Sequence, residues 1–259
     1  MPVTNLSSPN CAAIEDRRGR FYASSPIVEA VCGVGQSPGR VGADDVRTVV
    51  EAAVTALSAA ADADWSARAG DLEWDCWETV EHLADDLLCY AAQLGPAPKQ
   101  RYVPFESRPR RSGGAVNAIR ADPGAGPVGL LEVLAGCGAL LAAMVQTSNP
   151  TVRAYHPYGL SDPEGFAAMG VLETLVHTYD VAQGLHVPWQ PPAAVCARAL
   201  ARLMPEVPLR AGDTGSDPAA WAAMLWATGR IALPDRPRRA HWRWDNSVRE
   251  AGRAAPAEQ

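Results

Sequence analysis

Between residues 44 and 203 the apolar side chains of this chain recur at intervals of three and four, the period of an α-helix, and hardly anywhere at intervals of two. From Asp44 to Ala61, Val46, Val49, Val50, Val54 and Leu57 make one stripe. A second helix is expected from Asp75 or Thr79 to about Leu94, built on Val80, Leu83, Leu87, Leu88 and Tyr90 and stopped by Gly95-Pro96. A third covers Val128 to Gln146 and is ended by Asn149-Pro150. The fourth is announced by Ser161-Asp162-Pro163-Glu164, a capping residue followed by proline and an acid, and runs through Phe166, Met169, Leu172, Leu175, Val176 and Val181 to Gly184. Four long helices with no strand pattern able to build a major sheet predict an all-α chain with a four-helix bundle.

The flanks read differently. Residues 1–42 are rich in Ser, Gly, Pro and Arg and predict an irregular N-terminal arm. The bundle occupies 43–190, and 191–259 form a smaller C-terminal appendage of helical or mixed structure. Its helices are expected at Ala193–Leu203 and Pro218–Gly229, with a short extended piece near Trp242 and Trp244. The polar stretch 96–126, with Arg108 to Arg111 and Gly113-Gly114, predicts a loop over the core: a lid or a mobile insertion.

Charge and composition narrow the partners. A net charge of -6 with no long run of one sign provides no footprint for nucleic acid or an anionic membrane. The most apolar stretch, Val128 to Val145, is interrupted by Glu132 and several glycines and predicts a buried helix. No secretory signal is recognisable, so a cytoplasmic protein is expected. The six cysteines, at 11, 32, 76, 89, 137 and 196, include no CxxC pair and predict reduced thiols, with Cys76 and Cys89 poorly placed as ligands. Twenty-two arginines against the single Lys99, with only four isoleucines, are the usage of a GC-rich genome such as an actinobacterium's.

Glu173 and His177 stand four apart in a strongly helical stretch, one turn apart on one face, where a metal can bridge them. His82, mid-helix among Val80, Leu83, Leu87 and Leu88, is the best third ligand. An isolated Glu-x3-His pair or a lone mid-helix histidine is, however, more often a satisfied core group. Asp180, three residues past His177, is the candidate catalytic group, able to hydrogen-bond the imidazole or a substrate; Asp86, four past His82, is a weaker candidate of the same kind. His156 reads as a surface-loop residue near the mouth of the site, and His186 and His241 carry less. No nucleophile elbow, Walker loop or dinucleotide glycine pattern is present.

The text around these residues adds a family. Trp74-Asp75-Cys76-Trp77-Glu78-Thr79-Val80-Glu81-His82-Leu83-Ala84-Asp85 resembles the first signature of the mycothiol-dependent maleylpyruvate isomerase family, within the DinB-like superfamily. Leu172-Glu173-Thr174-Leu175-Val176-His177-Thr178-Tyr179-Asp180-Val181-Ala182 resembles its second, Glu-x3-His-Thr-Trp-Asp, with Tyr179 in place of the tryptophan. The resemblance covers about 43–190. It implies a DinB-like bundle in which His82, Glu173 and His177 hold a divalent metal, zinc first, with mycothiol as co-substrate and a small electrophile as its partner. The implied reaction is S-transfer or cis-trans isomerisation through an activated thiolate. A metal-dependent hydrolase and a non-catalytic metal-binding or interaction protein remain the alternatives.

Overall fold

Two aspartates start the helices that carry the candidate ligands. Asp75 accepts a hydrogen bond from the Glu78 amide at 2.7 Å while the Glu78 carboxylate reaches back to the Asp75 amide, so helix α2 (Cys76–Leu94) opens on a reciprocal capping box. Asp162 accepts from the Gly165 amide at 2.8 Å and opens α4 (Pro163–Leu185), with Pro163 in the first turn. At the far end of α4, His186 takes a left-handed conformation (φ 56°) and the chain turns out of the helix.

The computed structural model describes residues 39–208 and 218–248. The arm expected over 1–42 therefore lies, apart from residues 39–42, outside the described residues. The protein is all-α. Besides α2 and α4, the bundle contains α1 (Ala43–Ser58) and α3 (Gly126–Thr147), the latter preceded by a 3-10 turn at Pro123–Ala125. Helices α5 (Ala193–Leu203) and α6 (Pro218–Ala227) follow. Helix α1 packs on α3 and α4, α2 packs on α3 and α4, α5 lies against α4, and α6 against α5. Leu200, Leu203 and Met224 of the C-terminal helices belong to the same buried cluster as Leu57, Leu83, Leu134 and Leu172.

Helix α4 is the centre of this arrangement. Nineteen of its 23 residues are buried, so it presents no solvent face and its polar residues must find partners inside the protein. Two glycines set how close α4 comes to its neighbours. A methyl at Gly170 would strike Leu141 of α3 and Leu87 of α2, and one at Gly184 would strike the Arg68 carbonyl and Cys76 Sγ. Both contacts fix the spacing between the two helices that bear His82 and His177.

Two expectations are corrected here. The stretch 96–126 is not a plain loop. It forms a hairpin of two short antiparallel strands, β1 (Arg108–Pro109) and β2 (Val116–Asn117), strapped across the acidic face of α2. Arg110 donates to Glu81 (Nε to Oε2, 2.7 Å) and Arg111 to Glu78 at 2.7 Å, while Asp85 accepts from the amides of Ala118 and Ile119, both at 2.8 Å. The physical reason is that Glu78, Glu81 and Asp85 are buried and need compensating donors, which these arginines and amides provide. Arg110 and Arg111 of the basic cluster are therefore committed to internal carboxylates, while Arg108 pairs with the exposed Glu106.

The second correction concerns α3. Its inward residues Leu130, Leu131, Leu134, Cys137, Leu141 and Ala142 are buried, but Val128, Glu132, Ala135, Gly136, Ala139, Leu140 and Ala143 are exposed. The segment Pro123–Thr147 is long and apolar enough to cross a membrane by length and composition, yet its inward face is part of the bundle core.

Candidate metal centre

The bundle brings His82 and His177 face to edge, 5.6 Å apart between ring centroids, with Trp74 edge-on to His82 at 4.7 Å. Each imidazole has a polar group at Nδ1 and a carboxylate at Nε2. For His82, Nδ1 meets Asn117 Oδ1 of β2 at 3.1 Å, which makes Nδ1 the protonated nitrogen and leaves the Nε2 lone pair free, 3.4 Å from Asp86 Oδ2. For His177, Nδ1 lies 3.4 Å from Asp180 Oδ2, an ion-pair distance outside hydrogen-bond geometry, and Nε2 lies 3.2 Å from Glu173 Oε2. Asp180 is itself clamped by Arg230, at 2.7 Å and 3.3 Å.

The charges act on one another strongly. Burial opposes protonation of His177, but Asp180 and Glu173 outweigh it and raise its pKa to about 9. Burial likewise works against ionised Glu173 and Asp180, yet His177, helped at Asp180 by Arg230, keeps both below the ordinary carboxylate range. Asp86 is the exception: burial, reinforced by Glu173, pushes it up to about 7 against the pull of His82. Burial also raises Cys76 and Cys89 to about 12, so neither is a thiolate near neutral pH; Cys76 Sγ faces the Val181 carbonyl.

A cleft of about 680 Å³ opens onto this cluster, walled by Glu173, His177 and Asp180 together with Trp74, Arg230 and Trp242. A smaller one of about 380 Å³ reaches Asp86 beside Tyr102 and Phe105. His156 was expected on the surface and is instead buried, packed among Tyr90, Tyr102, Tyr158 and Trp244, with burial lowering its pKa to about 4. It sits in an aromatic cluster because the tail folds back: the Asp245 amide donates to the Leu203 carbonyl at 2.8 Å, and Trp244 is buried. The extended piece expected there joins no sheet among the described residues.

The donor chemistry fits a divalent first-row ion. Imidazole nitrogens and carboxylate oxygens converge on one largely buried spot; His82 is oriented from behind by the Asn117 amide oxygen, and His177 has the Asp180 carboxylate behind it at ion-pair distance. Nitrogen and oxygen atoms of His82, Asp86 and His177 all lie within 4.8 Å of one another, and Glu173 abuts His177. Nothing in the sequence pattern pointed to Asn117, Arg230 or Trp242 as neighbours of the histidines. Asn117 is 35 residues from its histidine and Arg230 is 50 from its aspartate, so only the fold joins them.

An all-α bundle with a histidine and carboxylate cluster between two of its helices is thus the class of protein the fold and the site define. The chain belongs to the mycothiol maleylpyruvate isomerase N-terminal domain family, whose model matches residues 46–182, just over half of its length. The match ends near the close of α4, and α5, α6 and the tail lie beyond it. No curated protein and no solved structure matches the chain significantly.

Proposed function

We propose that the protein is a metal- and mycothiol-dependent enzyme, an S-transferase or cis-trans isomerase acting on a small electrophile. The observation that carries this reading is His177 and Glu173 at the wall of a 680 Å³ cleft, with the His82 ring 5.6 Å from that of His177, in a member of that family. In it His82, Glu173 and His177 hold a divalent ion, zinc being the first candidate. When bound, the ion lowers the pKa of a thiol so that sulfur is nucleophilic at neutral pH.

The chain's own residues do the rest. Asp180 acts through His177 as a positioning residue, since its carboxylate is buried between that imidazole and Arg230. Trp74, Trp242 and Trp244 provide apolar faces beside Asp71, Gln183 and the arginines of the cleft, a mixture that suits the sugar-like rings of mycothiol better than a bare hydrocarbon. Cys76, Cys89, Cys137 and Cys196 are free thiols, in keeping with the reducing cytoplasm this reading requires.

Cobalt-loaded protein tests the reading. Mycothiol should produce a sulfur-to-cobalt charge-transfer band and release protons, and both should be lost in Glu173→Ala and His177→Ala. An unchanged spectrum with turnover of an ester or amide points to the hydrolase instead; no spectral change and no turnover point to a binding protein.

A further inference from the structure

The carboxylates of α2 are matched one by one, with a single exception. Glu78 accepts from Arg111 and from the Asp75 amide; Glu81 accepts from Arg110 and the Ala121 amide; Asp85 accepts from the Ala118 and Ile119 amides. Asp86, the next residue, receives no arginine and no backbone amide among the described residues. Its polar neighbour is His82 Nε2, 3.4 Å away, although its side chain keeps only 20% of its exposure. Glu173, opposite, has the same predicament: its ion-pair neighbour is His177 Nε2. A protein that supplies donors to three acids in a row and leaves the fourth against an imidazole has a place there for a cation.

The two helices contribute the same chemistry in opposite order. Helix α2 offers His82 and then, one turn on, Asp86; α4 offers Glu173 and then, one turn on, His177. The opposite order sets imidazole beside imidazole and leaves a carboxylate flanking each ring. One oxygen of Asp86 and one nitrogen from each histidine already lie within 4.8 Å of one another. Metal bonds of about 2.0–2.2 Å hold their donors roughly 3–4 Å apart, so small side-chain rotations close the set. Two carboxylates also balance the full charge of a divalent ion, whereas Glu173 alone leaves one positive charge in a largely buried place.

We infer that Asp86 is a fourth protein ligand, completing with His82, Glu173 and His177 a centre of two histidines and two carboxylates. The inference rests on the metal-binding reading above and sharpens it. Four protein donors plus a position for a thiol or water demand a coordination number of five or more. Such a centre favours ions that accept it readily, of the manganese, iron, cobalt and nickel class, over zinc held tetrahedrally by three side chains.

The full chain, the near-isosteric Asp86→Asn and the smaller Asp86→Ser are titrated with Co²⁺ against a competing chelator, and the visible spectrum is recorded. Wild type should bind one ion per chain with the weak visible bands of five- or six-coordinate cobalt. Both variants should fold with unchanged helical circular dichroism, bind cobalt at least about tenfold more weakly, and show the intensified bands of four-coordinate cobalt. The variants should also lose more affinity for Mn²⁺ than for Zn²⁺. If either folded variant keeps the wild-type affinity and spectrum while His177→Ala loses the ion, Asp86 is not a ligand and the three-ligand centre stands. A wild-type chain that takes up no divalent ion overturns both.

Discussion

His82 and His177 each set Nε2 beside a carboxylate, but they are held by unlike means. His82 leans on a neutral amide, Asn117, delivered by the hairpin that closes over α2. His177 leans on a carboxylate, Asp180, which is locked by a guanidinium, Arg230, from the segment after α6. The first support lies inside the region that the family model matches, and the second is completed from outside it. The partner of Asp180 thus comes from outside the matched bundle. Beyond residue 182, Arg230 pairs with Asp180, the carboxylate behind one of the two imidazoles, so the C-terminal region touches the surroundings of that ring.

Removing an imidazole altogether should have the largest effect on this pair. His177→Ala is expected to lose most of its affinity for a divalent ion, more than the roughly 10–100-fold that loss of an orienting partner brings. Elemental analysis and chelator competition measure it. Retention of the ion in a His82→Ala, His177→Ala double variant would remove the centre from consideration.

The two supports should then part company. Asp180→Asn leaves Arg230 buried without its counter-charge, and is expected to cost about 3–5 kcal/mol of stability besides weakening metal binding. Asn117→Ala removes a neutral hydrogen bond and should cost about 1–3 kcal/mol, with a smaller loss of affinity. Equal effects in urea unfolding and metal titration would mean that the difference in charge between the supports is of no consequence.

Gly184→Ala tests the spacing that both supports depend on. A methyl there meets the Arg68 carbonyl and Cys76 Sγ, so α4 and the start of α2 must separate, at about 1–3 kcal/mol. Thermal unfolding reads the stability, and metal affinity should fall with it.

The last effect appears only as pH falls and concerns His156, which serves as a control away from either support. Its folded pKa is depressed to about 4 from the ordinary value of 6.5, so the stability it contributes is full above pH 6.5 and is lost as pH falls from there toward 4. Urea unfolding of wild type and His156→Phe over that range should show a slope that the variant lacks, while Asn117→Ala and Asp180→Asn keep it.

Much of this protein was legible in its sequence. The three- and four-residue spacing and the punctuation by Asp75, Gly95-Pro96 and Asp162-Pro163 placed the helices to within a few residues, because capping and amphipathic burial are local physics. The acids of α2 were not legible: Glu78, Glu81 and Asp85 have the spacing of a solvated face, and only the strapped hairpin turns them inward. His156 misled in the same way, since the rings that bury it include Tyr90 and Trp244, 66 and 88 residues away.

The sequence by itself determined the helical bundle and the i,i+4 pairing of Glu173 with His177, because both follow from the geometry of one helix. Only the tertiary structure decided that His82 faces His177, that Asn117 and the Asp180–Arg230 pair stand behind the two rings, and that Asp86 alone among its neighbours was left without a donor. Those relations depend on segments tens of residues apart meeting at ångström distances, and that meeting is set by the packing of α4 against its neighbours, which no local pattern encodes.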